Sequence, residues 1–265
     1  MLLNLFLTMG DSDPFESRTT FELLIKDGES PFSGWDFSYV DNRIVTAPIT
    51  WSYSAEILPH IRTVDSMLDM GTGGGEFLSR FAPFPNKTVA TESYDPNFLI
   101  AKKRLEPLGV TVVKIDGDDN LPLEDEVFEL IINRHESFSI GEVNRILTEG
   151  GYFISQQVGG KNDQLLREIL GSKQQLGYSH WCLEYALKEL QNNGFEIVKK
   201  KEAFPVTRFF DVGAIVFYFK AIPWELPDFN IEKYKDKLWE IHNVIEDNGY
   251  VDVISHRFFF KAQKL

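Results

Sequence analysis

Two stretches of this chain combine residue types that do chemistry. The first is Leu68-Asp69-Met70-Gly71-Thr72-Gly73-Gly74-Gly75-Glu76-Phe77. An apolar run ends in an acid, glycines follow, and a helical pattern comes after. Glycine lets a turn take φ > 0 and lets a ligand approach backbone N–H groups with no Cβ between them. That is how a chain presents itself to a nucleotide. A further acid, Glu92, ends the next apolar run, twenty-one residues after Gly71. The second stretch is Asn133-Arg134-His135-Glu136. His135 can serve as a general base near neutral pH, with Glu136 orienting it or stabilising its charge. Arg134 can bind an acidic substrate or pair with Glu136. The competing reading is that this cluster only braces its loop and a bound cofactor.

The glycine spacing narrows the nucleotide. A dinucleotide turn, G-x-G-x-x-G, needs a glycine at position 76, and Glu76 stands there. The pattern is instead Asp-x-Gly-x-Gly-x-Gly. A carboxylate beside the turn repels a pyrophosphate and suits a ligand carrying an ammonium and a sulfonium.

This stretch resembles motif I of the class I S-adenosylmethionine-dependent methyltransferases. The resemblance runs from Val64 to Val158. It includes Glu92, the turn Asp116-Gly117-Asp118 before Leu121-Pro122-Leu123, the run Phe128-Glu129-Leu130-Ile131, and Leu147-Thr148-Glu149-Gly150-Gly151-Tyr152. Members usually carry proline where Glu149 stands. The resemblance implies that Gly71, Thr72, Gly73 and Gly75 line the methionine part of S-adenosyl-L-methionine and that Asp69 orients it. It assigns Glu92 to the ribose and the Gly117 backbone with Asp118 to the adenine, Asp116 being the rival for that place. Asn133 joins the cofactor set. The implied activity is transfer of a methyl group to an O or N acceptor of a small molecule. Methyl transfer from a sulfonium is an in-line displacement, so the protein must position the acceptor and, where needed, remove its proton. His180-Trp181 forms a second candidate pocket pair. His60, His242 and His256 have no partner in sequence and read as structural. No Cys or His cluster has metal spacing.

Net charge is −13 and the pI about 4.9, with seven acids and no base from Asp116 to Glu129. Nucleic-acid affinity rests on neutralising phosphates with Lys and Arg, so this balance argues against an RNA or DNA substrate. Three other readings stay open: an rRNA or tRNA methyltransferase, a non-catalytic module that binds the sulfonium cofactor, and an NAD-binding protein. The single cysteine, Cys182, fits a reducing compartment. Met1–Thr8 is apolar but lacks the charge and cleavage site of a signal peptide, and Met9 is an alternative start. No run reaches a membrane span. The expected location is the cytoplasm.

The elements that must position these residues alternate. Strands are expected at 64–69, 88–92, 110–115, 128–133 and 152–157, with helices at 75–81, 96–108 and from Ser139. Helices at 163–170 and 182–192 and a strand at 195–203 follow. Strand–helix alternation implies a doubly wound α/β fold, a mainly parallel seven-stranded sheet with helices on both faces. Residues 1–60 read as an N-terminal helical cap, with a helix opened by a capping box at Thr19–Glu22. Residues 61–204 plus 254–265 read as the Rossmann-like cofactor domain. Residues 205–253, with helices at 211–222 and 231–248, read as a helical insertion and possible substrate lid before the last strand. Twenty-two Phe and five Trp leave aromatic rings to spare for a thick core or for lining a cavity. Phe209, Phe210, Phe217, Tyr218, Trp224 and Trp239 of the insertion are candidates for its roof, and the cap, with Phe32, Trp35, Phe37, Tyr39, Trp51 and Tyr53, either covers the ligand or is a plain N-terminal extension.

Overall fold

The computed structural model describes residues 14–32, 35–174 and 176–265. The expectations for Met1–Thr8 and Met9 lie outside the described residues. The chain begins with helix α1 (Pro14–Asp27), a short strand β1 (Ile44–Thr46) and helix α2 (Tyr53–Ile61). The alternating part is β2 (Ser66–Met70), β3 (Lys87–Glu92), α3 (Asp95–Leu105), β4 (Thr111–Lys114), β5 (Phe128–Arg134), α4 (Ile140–Ile146) and β6 (Leu147–Val158). The rest is α5 (Gln164–Ile169), α6 (Leu183–Asn192), β7 (Phe195–Ala203), β8 (Val206–Phe209), α7 (Val212–Ala221), α8 (Ile231–Asn248), β9 (Val251–Ile254) and β10 (Arg257–Lys264).

Seven strands form the main sheet in the order β4-β3-β2-β5-β6-β10-β7. The pairs from β4 to β6 are parallel, and β10 runs antiparallel between β6 and β7. The chain order reverses at β2, between β3 and β5. In open sheets of this kind the crevice beyond the strand ends at such a switch point is where ligands sit. The glycine turn after β2 and the Arg134–Glu136 segment after β5 therefore meet there.

Strand side chains alternate between faces, and the core divides accordingly. Leu68, Met70, Ile131, Phe258 and Phe260 enter the cluster under α4 and α6. Met67, Leu130, Ile132 and Phe259 enter the opposite cluster, under α2 and α3. A third cluster joins α1, α7 and α8 through Phe21, Phe217, Leu238 and Ile241.

Several local expectations change. Thr19–Glu22 lies inside α1, which starts at Pro14, so that spacing caps nothing. Between Gly75 and Phe81 there is a 3-10 turn at Leu78–Phe81 only, because Gly71, Gly73 and Gly75 all hold positive φ and delay helical geometry. Ser139 is the N-cap of α4 without a side-chain cap bond. Its partner Glu142 accepts instead from the Leu121 N–H at 2.8 Å and from Arg145. The segment expected as a helical insertion also holds β8 and β9. They pair antiparallel with each other, and β8 pairs with β1, to make a second, three-stranded sheet. Each of these strands has only three or four residues, too few for alternation to stand out. Among the described residues no helix is long and apolar enough to cross a membrane.

Candidate active site

The turn after β2 is built by its glycines. Gly71 has φ +67° and Gly73 φ +62°, which L side chains rarely adopt. Space also excludes a side chain at both. A Cβ on Gly71 would lie 2.2 Å from Glu136 Cγ, and one on Gly73 would lie 2.9 Å from Trp35 Cδ1. The turn thus carries the Glu136 side chain on one glycine and the Trp35 indole on another. The Thr72 N–H donates to the Thr91 carbonyl at 2.9 Å, and the Gly75 N–H to the Thr72 carbonyl at 3.1 Å. The buried Glu92 carboxylate ties turn to strand. Oε2 accepts from the Gly73 N–H at 2.8 Å and Oε1 from the Tyr94 N–H at 2.7 Å.

Four carboxylates converge here. Burial pushes Asp69 up to about 7, and nearby Glu92 adds to the rise. The Thr72 hydroxyl opposes it, although its Oγ1 completes no hydrogen bond. Glu136 is also pushed up to about 7, by burial first and then by Asp118 and Glu92. Glu92 and Asp118 are raised by burial too. Carboxylates that hold their protons this tightly are short of positive charge, the complement of a cationic ligand. Asp118 accepts from the Ser137 hydroxyl at 2.5 Å. Asp116 and Gly117 lie beside it on a smaller cavity of about 380 Å³ that also meets Lys114 and Pro122.

The end of β5 and the residues just after it divide between roles. Asn133 is fully buried. Its Oδ1 accepts from Gln157 Nε2 at 2.7 Å and from Ser155 Oγ at 3.3 Å, and its carbonyl accepts from the Tyr53 hydroxyl at 3.0 Å. It braces β5 against β6. The Arg134 guanidinium lies 4.4 Å over the Phe77 ring. His135 sits at φ +64°. Trp51 Nε1, which can only donate, bonds Gln156 Oε1 at 2.9 Å. The other end of that amide, Nε2, then donates to His135 Nε2 at 3.0 Å. The imidazole is therefore neutral, with its proton on Nδ1. Its surface faces a cavity walled by protein, and that enclosure, with Arg257 and Arg134 nearby, drives its pKa well below the usual histidine value.

That cavity, about 680 Å³, is lined by Glu136 and His135 on the sheet side and by Trp35, Phe37, Tyr218 and Trp224 above. It joins the glycine turn to the cap and the late segment. His180 and Trp181 also line it. Of the other aromatic residues expected in its roof, Phe209 and Phe217 are buried in the core. Phe210 is exposed, and Trp239 packs on Phe21 at 5.1 Å.

Residues 68–155 match the model of a methyltransferase domain. That span runs from the strand before the glycine turn to the middle of β6. The chain carries a methyltransferase domain. No curated protein matches the chain. Solved structures share the fold. A Bacillus halodurans C-125 protein assigned as a methyltransferase is 22% identical with TM-score 0.55, covering 79% of this chain and 97% of its own. The YcgJ protein of Bacillus subtilis is 15% identical with TM-score 0.53, covering 80% and 97%. A functionally unknown protein of Deinococcus radiodurans R1 is 14% identical with TM-score 0.56, covering 94% and 100%.

The residues of the methyltransferase domain fit its cofactor. Positive φ at Gly71 and Gly73 shapes a turn with no Cβ at either position, Thr72 Oγ1 is a buried polar atom with no partner, and the surrounding carboxylates suit a sulfonium and an ammonium. Sequence reasoning missed Gln156, Gln157, Asn162, Tyr178, Glu225 and Arg257, all at or under the cavity. None lies in a motif. They reach the domain from β6, β10 and the loops around α5 and α7, and only the sheet order brings them together.

Proposed function

We propose that this chain moves a methyl group from S-adenosyl-L-methionine to an oxygen or nitrogen of a small molecule with an aromatic or apolar body. The carrying observation is that the cavity of about 680 Å³ opens on Glu136, whose side chain rests on Gly71 of the cofactor turn. When bound, the cofactor supplies an electrophilic methyl on a sulfonium. Gly71, Thr72, Gly73 and Gly75 would hold its amino-acid end, with Asp69 facing the ammonium. Glu92 keeps lone pairs free beside its two N–H bonds and would take the ribose hydroxyls. Gly117 and Asp118 would meet the adenine, and Asn133 would keep β5 in register beneath them.

Among the residues of the second stretch, Glu136 suits proton removal best. It borders both cofactor turn and cavity, and a value about 7 lets it exchange a proton near neutral pH. His135 already accepts at Nε2 from Gln156 and would shape the wall. Arg134, stacked on Phe77, would fix the loop. Residues 1–60 and 205–253 would close the acceptor space as cap and lid over the 61–204 plus 254–265 domain, since Trp35, Phe37, Tyr218 and Trp224 come from them. The net charge of −13 favours a metabolite over RNA, and the lone Cys182 suits the cytoplasm.

Calorimetric binding of S-adenosylmethionine against NAD tests the cofactor. Transfer of a labelled methyl group to a metabolite panel and to total RNA tests the acceptor. Labelling of RNA with none of the metabolites labelled would overturn the small-molecule reading.

A further inference from the structure

Among the described residues, the cavity wall contains one arginine or lysine, and no carboxylate pairs with it. Arg257, at the start of β10, is the only Arg or Lys among the lining residues. Its neighbour Arg167 is bound to Glu225 at 2.6 Å, both buried. Among the described residues no carboxylate lies within ion-pair distance of Arg257. Asn162 is the reason. Its Oδ1 accepts from Arg257 Nη1 at 2.5 Å, while its Nδ2 donates to Asp163 Oδ2 at 2.5 Å. The amide thus stands as a wedge between guanidinium and carboxylate. Asp163 is further engaged by the Tyr218 hydroxyl at 2.5 Å. Arg257 Nη1 also donates to the His256 carbonyl at 2.9 Å. One nitrogen is clamped, and Nε and Nη2 have no partner among the described residues.

A held guanidinium with a free edge is the fork that matches a carboxylate bidentately. Charge on the wall sets the kind of anion. Glu136, Glu225 and Asp41 also line the cavity, so a doubly charged phosphate meets more repulsion than a singly charged carboxylate. The rings of Trp35, Phe37, Trp181 and Trp224 supply an apolar, aromatic surface for the body of the ligand. We propose that Arg257 anchors the acceptor by a single carboxylate, so that the cavity takes small aromatic or apolar carboxylic acids. This rests on the acceptor reading above.

Tryptophan fluorescence of the full chain, with S-adenosylmethionine present, reads binding without turnover. The probes are 4-hydroxybenzoate and indole-3-acetate, their primary amides, and phenyl phosphate. The acids should bind roughly 10- to 100-fold tighter than the amides, the worth of a charge-assisted hydrogen bond. Arg257→Gln should erase that preference while amide binding and S-adenosylmethionine affinity hold. Arg257→Lys, which keeps the charge but not the fork, should retain part of it. Melting midpoints confirm that both variants fold. Acids and amides binding alike to the wild type, phenyl phosphate binding more tightly than the acids, or Arg257→Gln weakening acids and amides equally would each overturn the proposal. Tight acid binding with no labelled methyl reaching any acid would instead remove the acceptor reading and leave the Arg257 site standing.

Discussion

Glu136 rests its side chain on the bare Cα of Gly71, with Glu136 Cγ only 2.2 Å from where a Cβ would sit. One glycine thus shapes the turn proposed to hold the cofactor and seats a carboxylate between that turn and the cavity. Gly71→Ala strikes both. A left-handed φ costs an L residue about 1–2 kcal/mol, and the added methyl must displace Glu136 or the turn. S-adenosylmethionine affinity should fall at least about tenfold, ~1.4 kcal/mol, by calorimetry. Wild-type affinity in the alanine variant would show that the turn does not hold the cofactor as described.

Glu136 and His135 are neighbours with opposite prospects. Glu136 borders cavity and turn with a carboxyl at about 7, whereas the Nε2 lone pair of His135 is engaged by Gln156. Positioned proton transfer contributes about 10²- to 10⁴-fold. Glu136→Gln should therefore lower kcat by about 100-fold or more on an acceptor that must lose a proton, with little change in KM. His135→Gln should cost about tenfold at most. Steady-state kinetics on the same acceptor separates the two, and the reverse ranking would return the base role to His135.

The turn proposed to hold the cofactor is legible in the sequence because it is local. Asp69, Gly71 and Gly73 lie within five residues, and backbone conformation makes their spacing informative. The seven-stranded sheet is legible for a similar reason, since apolar strands alternate with helical segments along the chain. The acceptor half is not. Glu136 follows β5 and Arg257 opens β10, two strands separated by β6 in the sheet, and Trp35 comes from the N-terminal cap. Nothing in linear spacing marks Gln156, whose side chain fixes the tautomer of His135. The strands β1, β8 and β9 were hidden by brevity, and they form the second sheet that carries β1 to the insertion.

The raised carboxyls give the ligand-free chain a distinctive pH dependence. Asp69, Glu136 and Glu225 titrate at about 7 in the fold, against ordinary values of 3.8 and 4.5. The folded form binds these protons more tightly than the unfolded form. Their contribution is whole below the ordinary values and is lost as pH rises through about 7. Stability should fall from pH 5 to pH 8 in denaturant titrations without ligand, and less steeply for Glu136→Gln, with the lowered pKa of His60, His135 and His256 offsetting part of the fall below their ordinary value of 6.5. Carboxyls held low by arginine partners, Glu142 and Asp252 among them, act below this window. A sulfonium ligand prefers the ionised carboxylates, so S-adenosylmethionine affinity should rise across the same range and binding should release protons. Stability that climbs with pH from 5 to 8 would contradict the burial assigned to these groups.

Arg167 and Glu225 test whether the wedge of polar groups behind the cavity is a structural unit. They pair at 2.6 Å with side chains only 8% and 4% exposed. Glu225 is nevertheless pushed up to about 7, because burial and the nearby Asp163 outweigh the pull of Arg167. A buried pair contributes little net stability, but removing one member strands the other. Arg167→Met leaves Glu225 facing Asp163 with no cation between, and should cost about 3–5 kcal/mol in urea unfolding at pH 8. At pH 5, where Glu225 takes up its proton, the loss should shrink. Arg167→Met with Glu225→Leu should recover most of the stability, since two apolar side chains need no partner. If the double variant is as unstable as the single one, the pair is not acting through charge, and the Arg167 bond to the Asn162 carbonyl at 2.9 Å becomes the contact that matters.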